Sequence, residues 1–256
     1  MKKLNIVIVG IGGGGSALAP KIARYCQYLK PAATVNITLV DGDSYEESNA
    51  KRQLFTRYGN KAAVTVESLT LQFDRVSFTS IAEYLTPDNV DFIIGEDSIV
   101  FLCVDNNRSR KVVDDYAHTL KNVVIVCGGN DMTDGNCQIY IRRKGKDVTA
   151  SICDIHTETA NPADKAPYQM SCEEMAAAST PQLFFANDFV STLMCVVLWQ
   201  IVEVKDFLDK PPFGEVYFDM LKVRAEPVVR NPVAKAAKVD RKKGKKGKKP
   251  TAKKGR

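Results

Sequence analysis

Leu4-Asn5-Ile6-Val7-Ile8-Val9-Gly10-Ile11-Gly12-Gly13-Gly14-Gly15-Ser16 decides the fold of this 256-residue chain. Residues 4–9 are an apolar run of the length of a buried strand. The run breaks at Gly10, and glycines 10, 12 and 15 satisfy G-x-G-x-x-G. In such a turn, phosphate oxygens approach main-chain N–H groups at a helix N-terminus, where a Cβ would intrude. No Gly-Lys-Ser/Thr follows, so this is not a Walker A loop. Dehydrogenases, flavoenzymes and methyltransferases share the motif, and a strand-to-helix turn without a ligand would also satisfy it. Its place between a strand and a helix favours a nucleotide.

The elements outward of the turn extend one pattern. A helix over 17–29 contains Pro20, which a first turn would tolerate. Strands follow at 35–40, 76–78, 99–104 and 123–126, with helices at 61–73 and 111–120 and a turn at Thr86-Pro87-Asp88. This alternation predicts a Rossmann-like α/β fold, a doubly wound and mainly parallel sheet with helices on both faces. After residue 130 the pattern changes. A strand at 137–142 ends in the turn Lys144-Gly145-Lys146, and residues 153–180 read as a long polar loop. A helix over 181–204 and a strand over 214–223 close the body, so antiparallel strands are added toward the C-terminus.

Charge divides the chain in two. The net charge is +6, but residues 230–256 hold 13 Lys and Arg against one acid, Asp240. The remaining 23 basic and 29 acidic residues leave the body near −6. The expected organisation is one domain over 1–229 and a disordered polybasic tail over 230–256. The tail could neutralise nucleic-acid phosphates nonspecifically, or it could only solubilise. It lacks interleaved aromatics for base stacking. Seven cysteines without a Cys-x-x-Cys pair and no secretory leader predict reduced thiols, no zinc and a cytoplasmic protein. The apolar stretch 189–204 is interrupted by polar residues and reads as a buried helix, so no membrane association is expected.

The second decisive stretch is Asp41-Gly42-Asp43-Ser44-Tyr45-Glu46-Glu47-Ser48-Asn49-Ala50-Lys51-Arg52-Gln53. Asp41 ends the second strand, where a carboxylate accepts ribose hydroxyls of NAD or ATP alike. The further acid, amide and arginine exceed what hydride transfer needs. With Gly10 to Ser16, with Lys61 in Gly59-Asn60-Lys61-Ala62, and with Asp105 in Cys103-Val104-Asp105-Asn106, this segment resembles the ThiF/MoeB/HesA superfamily, which includes ubiquitin-activating enzymes. The resemblance covers most of residues 4–130. Its short Gly-x-Asn-Lys-Ala form is most similar to plasmid- or phage-associated ThiF-like proteins.

The resemblance implies a homodimeric adenylyltransferase that uses Mg·ATP to activate a small ubiquitin-like or sulfur-carrier protein ending in Gly-Gly. Gly10, Gly12, Gly13 and Gly15 would cradle the nucleotide, with Asp41 on the ribose. Asn49, Arg52 and Lys61 would contact phosphates, with Asp43 and Gln53 in the same set. Asp105 would hold magnesium beside Asn106, unless it only caps the following helix. Arg52, Lys61 and Asp105 would carry the catalysis. Cys172 is the candidate for a later thioester, although its neighbouring acids disfavour a thiolate. Cys103 and Cys127 fall in predicted strands and read as core residues. Only nine residues precede Gly10, which leaves a trans arginine from an N-terminal helix in doubt. Two other readings stay open: an NAD-dependent oxidoreductase, and a non-enzymatic ATP-binding scaffold with a nucleic-acid-binding tail.

Overall fold

The computed structural model describes residues 3–29, 34–51, 53–170 and 183–232. Arg52, Cys172 and the tail from residue 233 lie outside the described residues. In chain order the strands are β1 (Lys3–Val9), β2 (Thr34–Val40), β3 (Ser44–Tyr45), β4 (Gly59–Asn60), β5 (Ser77–Ile81), β6 (Ser98–Leu102) and β7 (Val123–Asn130). They continue with β8 (Asp134–Arg143), β9 (Lys146–Asp147), β10 (Glu215–Asp219) and β11 (Arg224–Val228). The helices are α1 (Gly13–Gln27), α2 (Lys61–Thr70), α3 (Val90–Ile93), α4 (Asn107–Ala117), α5 (Ile152–Ile155), α6 (Thr157–Ala160) and α7 (Phe184–Glu203).

The main sheet runs β5-β2-β1-β6-β7-β8-β10-β11, with β9 pairing β8. From β5 to β7 every pairing is parallel; from β7 to β11 every pairing is antiparallel. The parallel half therefore reverses its winding between β1 and β6, and the carboxyl ends of those strands form the crevice where doubly wound sheets bind ligands. Strand alternation splits the core into two layers. Leu4, Ile6 and Ile8 of β1 face α1, α2 and α7, while Val7 and Val9 face α3 and α4. Both layers are apolar, so the central strands read as continuous hydrophobic runs.

Several sequence boundaries are corrected. Helix α1 starts at Gly13 inside the glycine turn, so Pro20 is its eighth residue and not in the first turn. Pro20 is exposed, and the bond it forfeits ends on the Ser16 carbonyl at the helix surface. Strand β6 stops at Leu102, which leaves Cys103 just past it and only partly buried. Cys127 is buried in β7 as expected. The stretch 153–180 holds α6, most of α5 and a 3-10 turn at Pro167–Gln169. The final strand is a hairpin: Val223 takes a left-handed φ of 50° and the chain returns as β11. Helix α7 is long and apolar enough to cross a bilayer. Here it packs Val190, Met194, Val197 and Leu198 into the core, and leaves Phe185, Val196 and Trp199 exposed.

Glu215 fastens the antiparallel half. Its side chain is fully buried and accepts from His156 Nε2 at 2.9 Å, Asn136 Nδ2 at 2.6 Å and Arg230 Nε at 2.7 Å. Burial alone would raise its carboxyl, but these hydrogen bonds outweigh it and hold the pKa at about 2. The Arg230 carbonyl also accepts from Ala150 N at 3.0 Å, so Arg230 belongs to the folded body and not to the tail.

Two outcomes test this construction. Glu215 contributes stability above the ordinary carboxylate range, near pH 4.5, and that contribution is lost as pH falls toward 2. His156, raised chiefly by Glu215, contributes below about pH 6.5 and loses its share as pH rises through the raised value. Urea denaturation across pH 3–8 will show both limbs, and Glu215→Gln will remove them. In the glycine turn, an added Cβ at Gly15 would lie 1.9 Å from the Gly10 carbonyl oxygen, whereas at Gly95 it meets nothing within 4 Å. Gly15→Ala will cost about 1–3 kcal/mol by urea titration, and Gly95→Ala will change stability by less than ~0.5 kcal/mol.

Candidate active site

The site is built on the glycine turn. Gly10 has φ +87° and sits where a Cβ would meet the Cys103 carbonyl oxygen at 2.9 Å. Its backbone N–H donates to the Val40 carbonyl at 2.9 Å, so the turn is bound to the carboxyl ends of both β2 and β6. The first bond of α1 runs from Ser16 N to the Gly12 carbonyl at 3.0 Å. The N–H groups of Gly13, Gly14 and Gly15 thus lack intrahelical acceptors, which is what an anion site at a helix N-terminus requires. A Cβ at Gly12 would have open space around it, the opening that an approaching phosphate needs.

Asp41 joins this turn to the second strand. It is buried, and its Oδ2 accepts from Ile11 N at 2.5 Å while Oδ1 accepts from Asp43 N at 2.8 Å. Each oxygen keeps a further lone pair, sufficient for a ribose hydroxyl. Burial pushes its carboxyl up to about 6, against the opposing pull of Lys61 and the two backbone N–H groups.

A two-stranded ladder brings Lys61 to the same place. Strands β3 and β4 pair Ser44 with Asn60 and Tyr45 with Gly59, closing the loop between them. Asn60 then caps α2: its Oδ1 accepts from Ala63 N at 3.0 Å, and its Nδ2 donates to the carbonyls of Asp41 at 2.7 Å and Asp43 at 3.0 Å. Lys61, the first residue of α2, is buried, and its Nζ lies 3.2 Å from Asp43 Oδ2. Tyr84 donates to Asp43 from the other side. The Tyr84 ring also leaves room only for glycine at 42, where a Cβ would lie 2.7 Å from it. Asn49 stands apart from this cluster, in a 3-10 turn where its side chain accepts from Glu46 N at 2.9 Å. Gln53 is buried, and its Oε1 has no partner among the described residues.

Across the turn, Asp105 follows β6. Its carboxylate is exposed and makes no hydrogen bond or ion pair among the described residues. The capping alternative for Asp105 fails, because Asn106 is the cap of α4 and accepts from Ser109 N at 2.8 Å. Magnesium needs one or two carboxylates beside phosphate oxygens, and a free Asp105 suits that need. No cluster of three ligating side chains occurs among the described residues. The described thiols are poor nucleophiles. Burial pushes Cys103 and Cys153 far up, with Asp114 adding to the effect on Cys153.

The structure therefore gathers Gly10, Gly12, Gly13, Gly15, Asp41, Asp43 and Lys61 around one turn, with Asp105 and Asn106 on its far side. Sequence reasoning missed Asn60, whose signal was a capping amide just before an apolar helix. It also missed Tyr84 and the α7 residue Asn187, which packs against Gly13.

A model of the ThiF family matches residues 1–233. The adenylyltransferase and sulfurtransferase UBA4 of Yarrowia lipolytica is 31% identical over 144 residues, 55% of this chain and 34% of that protein. Molybdopterin-synthase adenylyltransferase of Escherichia coli is 26% identical over 164 residues, 62% of this chain and 63% of that protein. The chain thus spans about a third of the length of the Yarrowia relative. The crystal structure of E. coli MccB with ATP has a TM-score of 0.66 at 15% identity, covering 92% of this chain and 65% of that one. The crystal structure of PaaA has a TM-score of 0.65 at 16% identity, covering 91% and 65%. These two likenesses concern the fold.

If Asp41 receives a ribose, ATP affinity will fall as pH drops through about 6, where Asp41 takes up a proton. Calorimetry from pH 8 to 5 on the native protein and on Asp41→Asn separates this step from the titration of ATP itself. The variant will bind more weakly at pH 8 and lack the step.

Proposed function

The chain belongs to the ThiF family, and from that premise we propose that it is an adenylyltransferase that uses ATP to activate the C-terminal glycine carboxylate of a small ubiquitin-like or sulfur-carrier protein. The observation that carries the reading is the two-sided site. A glycine turn is tied through Asp41 to Asp43 and Lys61 on one side, and a free Asp105 lies on the other.

In the proposed reaction one carboxylate oxygen attacks the α-phosphorus. A P–O bond forms there as the bridging bond to the β-phosphate breaks, and pyrophosphate leaves with the bond's electron pair. A C-terminal carboxylate has a pKa near ~3.5, so it is ionised at neutral pH and requires no general base. The chain's two histidines fit that economy. The turn's N–H groups, Lys61 and Arg52 would face the phosphate oxygens and stabilise the charge that spreads over them. Magnesium, when bound, would neutralise phosphate charge further, and Asp105 is the residue that would hold it.

The acyl side would draw on a cleft of about 550 Å³ lined by Arg110, Gln138, His156 and Thr159 together with the carboxylates Asp131, Asp134, Glu158 and Asp219. Two of its lining residues hydrogen-bond to the segment around Asp105. Arg110 donates to the Val104 carbonyl at 3.0 Å, and Thr159 donates to Asn107 Oδ1 at 2.9 Å. UBA4 and molybdopterin-synthase adenylyltransferase, by their names, transfer adenylyl groups, and UBA4 is also a sulfurtransferase. Transfer of the activated acyl group to Cys172, assembly as a homodimer and a cytoplasmic setting complete the reading.

ATP–pyrophosphate exchange that depends on a Gly-Gly-ending partner tests the proposal. Purified protein that binds ATP yet exchanges with no encoded candidate would refute it. Asp105→Ala is expected to lower exchange by at least a hundredfold while leaving the far-ultraviolet circular dichroism unchanged; near-native exchange would remove Asp105 from the chemistry.

A further inference from the structure

Asn187 is a polar residue in the first turn of a mainly apolar helix, and it is 2% exposed. Neither Nδ2 nor Oδ1 of its amide has a hydrogen-bond partner among the described residues. Buried amides are rarely left so, because burial strips them of water without compensation. The amide lies against the glycine turn: a Cβ at Gly13 would sit 2.3 Å from Nδ2 and 2.8 Å from Oδ1. Gly13 is the first residue of α1, so the amide flanks the first turn of that helix. The mouth of this 15-residue helix is where the unpaired N–H groups gather.

The surrounding contacts hold the backbone of Asn187 and leave its side chain unassigned. Lys21 of α1 pairs with Asp188 at 2.6 Å and with Ser191 Oγ at 2.6 Å, one and four residues further along α7. Val190 lies 3.8 Å from a Cβ position at Gly14, and the Met194 sulfur 2.7 Å from one at Gly128. Helix α7 is therefore docked on the turn by its neighbours, while the Asn187 amide takes no part in that docking.

We propose that Asn187 is a further nucleotide-contacting residue, its Nδ2 donating to a phosphate oxygen held at the N-terminus of α1. The inference rests on the ATP reading above. It adds a donor from a helix that neither the glycine motif nor the Asp41 segment contains.

The test uses the full chain and Asn187→Leu, which keeps the shape and removes the polar atoms. ATP, AMP and pyrophosphate are titrated by calorimetry, and melting is followed without ligand. The expected result is ATP binding weakened about tenfold with a melting temperature unchanged or raised, since an unsatisfied buried amide has been removed. Matching loss with AMP assigns the contact to the α-phosphate, and matching loss with pyrophosphate assigns it to the outer phosphates; either supports the proposal. Unchanged ATP affinity overturns it. A lowered melting temperature in the variant also overturns it, because the amide would then be a structural bond. Should the leucine variant not fold, Asn187→Ser, too short to reach, is read in the same way. Native protein that fails to bind ATP would instead refute the adenylation reading on which the inference stands.

Discussion

A buried carboxylate, Asp41, organises this molecule. It accepts one N–H from the glycine turn and one from its own downstream loop, and so joins the end of β1 to the end of β2. Taking an ionised carboxylate out of water is costly, and two backbone donors together with nearby Lys61 offset part of that cost. The arrangement makes the second strand, the glycine turn and the start of α2 interdependent. The site is a consequence of how the fold satisfies one charge.

The geometry around it extends outward in two steps. The β3–β4 ladder returns the chain after a long excursion, so that Asn60 and Lys61 meet the backbone of Asp41 and Asp43. On the other side, close contact of Gly10 with the Cys103 carbonyl fixes where the chain leaves β6 and presents Asp105. Both arms depend on glycine's lack of a side chain: at Gly10 the Cys103 backbone occupies the space, and at Gly42 the Tyr84 ring does.

Much of this was legible in the sequence where a residue's role is set by its immediate neighbours. Buried parallel strands show as apolar runs, so β1, β2 and β6 were placed to within a few residues. Asp41 followed from its place at the end of the second strand, and Lys61 from the family resemblance. What stayed hidden depends on contacts between distant segments. Tyr84 meets Asp43 and Gly42 only because β5 pairs with β2. Asn187 faces Gly13 only because α7 docks on α1. The β10–β11 hairpin was read as one strand, because no glycine or asparagine marks its left-handed turn residue, Val223. The sequence pattern starts helix α1 too late, because four consecutive glycines disguise a helical first turn and Pro20 suggests a later boundary.

Strand β11 has a wider meaning. It forms one edge of the sheet, and it carries Pro227 between Glu226 and Val228, with Arg224 paired to Glu226 along its exposed length. An edge with a missing donor and a pair of charges is a poor template for another chain's backbone. Growth of the sheet by strand addition is discouraged at that margin. A polypeptide visiting this protein therefore has better reason to cross the carboxyl ends of the strands, where the chemistry is, than to lengthen the sheet at its rim.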